Sequence, residues 1–74
     1  MNLSQLSDSE FSRACGVSPA SVSLWIKGVY LPKHATALKI SRRLGIHHDE
    51  LLYEIKRRKQ ERIRIARLKK ELDL

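Results

Sequence analysis

The chain lacks the sequence features that cross-link small proteins, anchor them in a membrane or direct their export. It has one cysteine, Cys15, in 74 residues, so no disulfide can close within the chain, and this is typical of a reducing compartment. The longest stretch without a charged residue, 14–26, is too short and too rich in serine to span a bilayer. The N-terminal eleven residues carry Asp8 and Glu10 but no basic residue, unlike a signal peptide. We therefore expect a cytoplasmic protein without a membrane partner.

Aromatic residues and enzyme motifs are also scarce. Four aromatic side chains, scattered along 74 residues, are too few for the rows of stacking platforms that bind single-stranded nucleic acid. A chain of this length forms one small domain, whose core supplies about 3–5 kcal/mol without further support. It is too small for a deep pocket of its own, and no serine lies in a glycine-flanked nucleophile turn. We expect neither an enzyme nor a cofactor.

Positive charge is the strongest compositional feature of the chain. Fifteen Lys and Arg residues stand against eight Asp and Glu residues, and the formal net charge is +7. Residues 56–70 contain nine of the cations and a single anion, Glu61. Polyanions are the expected partners, and duplex DNA fits better than single strands because aromatic residues are few. Within the basic segment, Glu54 and Arg58 are spaced for an ordinary i, i+4 ion pair on a solvated helix.

Local start and stop signals predict helices throughout. Ser7 and Glu10 form a capping box, Ser18 followed by Pro19 caps a second helix, and Pro32 opens a third. Each of these segments is followed by a glycine that can end it, namely Gly16, Gly28 and Gly45. From about residue 49 onward good helix formers continue without glycine or proline, as one long helix or two halves of one.

No stretch shows the period-two alternation of a strand, so the fold is expected to be all-α with no sheet. We divide the chain into a helix-turn-helix domain, residues 1–52, and a basic C-terminal helix, residues 53–74. The C-terminal helix is expected to serve dimerisation, auxiliary contact with the partner polyanion, or both.

The first two helices are short and joined by a tight turn, the arrangement of a helix-turn-helix unit whose second helix can lie in the major groove. An apolar cluster is expected to fix their crossing angle, formed by Phe11, Cys15, Val17, Val22 and Trp25. Ser12 lies where close helix approach needs a small residue. The second helix then leaves the following residues for reading bases: Ser18, Pro19, Ala20, Ser23, Leu24 and Lys27.

These residues resemble the phage Cro and repressor (XRE-like) helix-turn-helix family. The likeness lies in DSEFSRACGVSPASVSLWIKG at 8–28, LP at 31–32 and LKI at 38–40, and covers roughly residues 7–52. It implies a sequence-specific transcriptional repressor, usually dimeric, often of phage or mobile-element origin, that occupies a palindromic operator on the nucleoid. It also implies phosphate contacts in the loop and at the start of the next helix, which match Tyr30 to Lys33. We predict the following phosphate contacts: Ser9, Ser21, Tyr30, Lys33 and His34.

The chain departs from the family ahead of the capping box. Members place a full helix there, whereas residues 1–6 allow one turn at best. We expect the C-terminal helix or a second protomer to cover the apolar surface that is left. A two-fold partner would supply such cover, so a homodimer is predicted through these residues: Leu51, Leu52, Ile55, Ile63, Ala66, Leu68 and Leu72.

A run of histidines and acids raises the question of a metal. His47, His48, Asp49 and Glu50 are adjacent, and neighbouring helical residues point apart, while no cysteine or third spaced ligand accompanies them. We therefore expect no metal site, and a helix cap near His48 or Asp49 instead.

Two functional alternatives stay open. One is an antitoxin-like or anti-factor protein whose C-terminal helix binds a partner protein. The other is an architectural nucleic-acid binder that uses bulk charge without sequence preference. Specific duplex binding by the isolated protein separates the repressor from both.

Overall fold

The computed structural model describes residues 2–72. A 3-10 turn, Leu3–Gln5, precedes four α-helices: α1 Asp8–Cys15, α2 Pro19–Lys27, α3 His34–Leu44 and α4 His48–Leu72. No strand occurs between residues 2 and 72, and the all-α prediction is confirmed. Residues 1, 73 and 74, which the predicted segments 1–52 and 53–74 include, lie outside the described residues.

The helix ends follow the local signals. The Glu10 amide donates to Ser7 Oγ over 3.1 Å and the Ser7 amide donates to Glu10 Oε1 over 3.0 Å, so the capping box is complete. That hydrogen bond from the Ser7 amide also lowers the pKa of Glu10. Gly16 ends α1 in the left-handed conformation, with φ of 73°, which a residue without Cβ adopts at little cost.

One predicted boundary is displaced. The third helix begins at His34 and not at Pro32, because Lys33 keeps an extended backbone and takes the N-cap position. The C-terminal segment forms one continuous helix of 25 residues.

A single core joins all four helices. Phe11 and Cys15 of α1 and Trp25 of α2 are buried together, as the helix-turn-helix interpretation requires. Ser12 is 1% exposed, and its hydroxyl donates to the Ser9 carbonyl over 2.7 Å, so this small residue lies at the close approach of the helices.

The dimer prediction is wrong for two residues of α4. Leu51 and Ile55 are 0% and 1% exposed, because they lie on the face of α4 that packs into the core of their own chain. They have no surface to offer a second copy. Leu52 is partly buried against the same core.

Arg58 ties α4 to the N-terminal segment. Its side chain is 7% exposed, and Nε donates to Glu54 Oε1 over 2.8 Å. Nη1 donates to Asp8 Oδ1 over 2.6 Å, and Nη2 donates to the carbonyls of Leu3 and Leu6 over 2.9 and 2.7 Å. The ion pair predicted for a solvated helix is therefore buried. Through it, α4 covers the surface ahead of α1.

Beyond this contact α4 borders α2 as far as Ala66 and continues to Leu72. Every residue from 60 to 72 is exposed, and we call residues 60–72 the arm. At 1.5 Å per residue the arm is about 20 Å long. One apolar stripe along it is uncovered, with Leu68 at 51% and Leu72 at 84% exposure. Among residues 2–72 no helix is both long and apolar enough to cross a membrane.

Candidate nucleic-acid interface

Helix α2 divides into a buried and an accessible face. Val22, Trp25 and Ile26 are buried in the core. The six predicted base-reading residues are not among these buried residues. Ser18, Pro19, Ala20 and Lys27 are exposed, and Ser23 and Leu24 are half-buried. We call these six residues the base face.

The base face is chemically sparse. The Ser18 hydroxyl accepts from the Ser21 amide over 3.3 Å as the N-cap of α2, so it is partly committed to the helix. Ser23 and Lys27 remain as side-chain donors past the first turn. Ala20 and Leu24 are apolar, and the methyl group of thymine is the feature of the major groove that suits apolar side chains.

One flank of α2 carries three of the predicted phosphate contacts. Ser21, Tyr30 and Lys33 line a common pocket of about 530 Å³, together with Leu31 and Thr36. Lys33 is the N-cap residue of α3, and within residues 2–72 no carboxylate lies within 4.0 Å of its ammonium group. A cation beside a helix N-terminus suits a phosphate.

The opposite flank is a groove of about 330 Å³ between α2 and α4. The fourth predicted phosphate contact, Ser9, lies here. Three elements contribute to the groove, and its lining residues are Asp8, Ser9, Pro19, Ser23, Ile26, Lys27, Lys59, Arg62, Ile63 and Ala66. Three residues of the base face thus border α4.

The groove is positively charged despite its one acidic residue. Asp8 accepts from Arg58 at one carboxylate oxygen and from Arg62 at the other. Within residues 2–72 no carboxylate lies within 4.0 Å of Lys27 or Lys59. Both flanks of the base face therefore offer cations to a polyanion.

Comparison with known proteins agrees with this geometry. A family model described as helix-turn-helix matches residues 1–51, which is more than half of the chain. The chain belongs to the Cro and repressor type of helix-turn-helix family. This is a family of DNA-binding transcription regulators, and its fold is generally not enzymatic. Neither the curated proteins nor the solved structures contain a significant match.

The three histidines of this helix-turn-helix protein cluster where α3 and α4 begin, and His34 directly follows Lys33. The ring of His34 meets His48 edge to face at 5.4 Å, and His47 stacks on His48 at 4.4 Å. His47 precedes α4, so the expectation that the adjacent side chains point apart is wrong; ligand atoms of His47, His48 and Asp49 lie within 4.8 Å of one another. His47 Nδ1 accepts from the Asp49 amide over 3.2 Å, which places the helix cap one residue before the predicted position.

Sequence reasoning did not single out Lys59 or Arg62 as neighbours of the recognition helix. In the sequence they are simply two members of the basic segment 56–70. The spacing of Lys59, Ile63 and Ala66 at i, i+4 and i+7 marks one helix face, but nothing local to the sequence shows that this face meets α2.

Proposed function

We propose that the protein is a sequence-specific regulator that binds duplex DNA through α2 and represses transcription by occupying an operator. The observation that carries this proposal is the base face of α2, accessible between two cationic flanks. Lys33 stands on one flank and Lys59 on the other. Occupation of an operator needs no bond-making chemistry, which suits a domain of this size.

We further propose that the repressor acts as a homodimer joined through the arm. Ile65, Leu68 and Leu72 form the uncovered apolar stripe, at i, i+3 and i+7. Ile63 and Ala66, also predicted for the dimer contact, border the groove beside α2. A two-fold pair of protomers would set two α2 helices about 34 Å apart, facing successive major grooves of a palindromic site.

A second candidate is a protein-interaction role for the arm. Its support is the combination of an apolar stripe with a large excess of cations, which suits an acidic partner protein. In that case the isolated protein would show no preference among duplexes. The partner protein would compete with a second protomer for the apolar stripe that contains Leu68 and Leu72.

Selection of bound sequences from a random duplex pool tests the proposed function. We expect one enriched motif with two-fold symmetry. Enrichment of no motif despite retention of DNA would indicate an architectural binder. Failure to retain any duplex would favour the protein-interaction role.

Sedimentation of the full chain tests the dimer. The double variant Ile65→Gln/Leu68→Gln should sediment as a monomer at concentrations where the wild type is dimeric. Tyr53→Gln is the matched control, because Tyr53 is an exposed apolar residue of α4 outside the arm and should leave the dimer intact. A wild-type protein that is monomeric at high micromolar concentration would contradict the proposal.

A further inference from the structure

The face of α4 that lines the groove continues into the arm. Ile63 and Ala66 border the groove, and four residues beyond each of them stand Arg67 and Lys70. Residues four apart are neighbours on a helix surface, so Arg67 and Lys70 prolong the same face. Lys59 begins it. We call Lys59, Arg67 and Lys70 the basic face of α4.

We propose that the basic face binds the phosphate backbone of the duplex that α2 reads, on the strand flanking the groove. This inference rests on the proposed function, since it needs α2 in the major groove. It assigns the excess charge of the C-terminal helix to particular residues and to one side of the recognition helix.

The position of Lys59 connects the basic face to the recognition helix. A methyl group built on Gly28, the residue that ends α2, would lie 2.9 Å from Lys59 Nζ. The Lys59 ammonium group is therefore at the C-terminal end of α2, next to Lys27 in its last turn. A duplex contacted by Lys27 would pass this ammonium group.

Three acidic groups lie near the basic face. Asp8 and Glu61 are paired with other residues, and Glu71, four residues beyond Arg67, lies within 4.0 Å of no cation among residues 2–72. Asp8 binds Arg58 and Arg62, as described above. Glu61 accepts from Arg57 over 3.2 Å and lies 3.7 Å from Arg64, on another side of the helix. Within residues 2–72 the basic face has no acidic partner inside 4.0 Å. Its like charges repel one another, and phosphates would relieve that repulsion.

The length of the basic face fits a nucleic-acid strand. Lys59 and Lys70 are eleven residues apart, or about 16 Å along the helix axis at 1.5 Å per residue. Phosphates of one strand follow at about 3.4 Å of duplex axis. The two ends of the face can therefore reach separate phosphates, so each should release its own counterions.

Lys59 also has a structural role that the test must separate from DNA binding. A cation at a helix C-terminus stabilises that helix. Loss of this effect would lower the melting temperature but would leave the salt dependence of DNA binding unchanged. The slope of log K against log[salt] responds to phosphate contacts alone.

The test measures that slope for the full-length protein on its selected duplex. The test variant is Lys59→Gln/Lys70→Gln, and the control is Arg64→Gln/Lys69→Gln, which removes two charges from the arm outside the basic face. Glutamine keeps the helix propensity of lysine and arginine. Because each protomer of the proposed dimer loses two cations, we expect the slope of the test variant to be shallower than that of the wild type by about 3.6, or about 0.9 for each of four phosphates that are no longer neutralised. The control should change it by less than half as much.

Equal slopes for the test and control variants would overturn the inference while leaving the proposed function in place. A wild-type protein that binds no duplex would overturn both. Thermal denaturation of the same variants accompanies the binding series, and a test variant that melts lower but binds with the wild-type slope would assign Lys59 a structural role only.

Discussion

The guanidinium carbon of Arg58 lies 4.6 Å from the centroid of the Phe11 ring. Phe11 is at the centre of the core, so this contact places a cation against its most buried aromatic residue. The contact is tolerable because the polar edge of Arg58 binds two carboxylates and two carbonyl groups. By this contact α4 covers the flank of α1 where family members have a leading helix.

The first prediction concerns the removal of Arg58. Arg58→Met should cost about 3–5 kcal/mol of unfolding free energy, because it breaks a buried ion pair, leaves Glu54 with Arg57 alone and removes the donor to the carbonyls of Leu3 and Leu6. The core of a domain of this size supplies about the same free energy of unfolding. The variant should therefore be largely unfolded at 25 °C, as measured by circular dichroism.

Two further variants calibrate that result. Arg64→Met removes an exposed arginine of the arm and should change stability by less than about 0.5 kcal/mol. Arg58→Lys keeps the charge but loses the planar guanidinium group that binds several acceptors at once. Its loss of unfolding free energy should lie between those of Arg64→Met and Arg58→Met. A cooperative unfolding curve for Arg58→Met with the wild-type midpoint would refute the role given to Arg58.

The second prediction concerns pH. Burial raises the pKa of Glu54, but hydrogen bonds from Arg57 and Arg58 outweigh it, so the pKa lies below its ordinary value of 4.5. Since the folded pKa is below the unfolded one, the carboxylate contributes stability that is complete above the unfolded pKa and is lost as pH falls through the folded pKa. The melting temperature should be level from pH 7 to about pH 5 and then fall.

Glu54→Gln provides the comparison for this pH dependence. It should melt below the wild type at pH 7, and the gap should narrow on acidification below about pH 4.5. A gap that stays constant down to pH 3 would show that the charge of Glu54 contributes nothing.

The third prediction concerns the thiol. Burial raises the pKa of Cys15 to about 11, and the sulfur belongs to the core cluster. At pH 8 its reaction with a disulfide reagent should be at least about a hundredfold slower in the folded protein than in denaturant, because each pKa unit costs tenfold in thiolate. Comparable rates in the two states would mean that the core opens readily at α1.

The fourth prediction concerns the close approach of the helices at Ser12. Ser12→Leu should cost about 1–3 kcal/mol by overpacking, measured as a lower midpoint of urea unfolding. Arg13→Leu, at the neighbouring exposed position of α1, places the same side chain in solvent and should leave the midpoint near that of the wild type. Equal effects of the two substitutions would argue against close packing at Ser12.

The helices could be predicted because their signals are local. The capping box of Ser7 and Glu10 and the left-handed Gly16 act within a few residues. Arg58 could have been found as well: Leu51, Ile55 and Arg58 are spaced i, i+4 and i+7, which places Arg58 on the buried face of α4. Because arginine is charged, an exposed position was expected for it. The ion pair with Glu54 compensates that charge, so Arg58 can be buried.

Other features depend on the tertiary arrangement and have no local signature. The dimer assignment of Leu51 and Ile55 failed because apolar residues at helical spacing serve a core and an interface equally well. The groove between α2 and α4 arises from the path of α4 past Lys27, which periodicity does not specify. Nothing local marks His47 as the residue that caps α4, because the start of this helix carries no serine, threonine or proline.

The most direct test of sequence reading by α2 compares affinity for the selected duplex with affinity for a scrambled duplex at one fixed salt concentration. The wild type should prefer the selected duplex by at least about a thousandfold. Ser23→Ala/Leu24→Ala should reduce that preference by tenfold or more at unchanged affinity for the scrambled duplex, because each base contact contributes about 1–3 kcal/mol. Lys33→Ala, as the phosphate-contact control, should weaken binding to both duplexes alike. A wild-type preference near one, or a preference that the double variant leaves intact, would contradict base reading by α2.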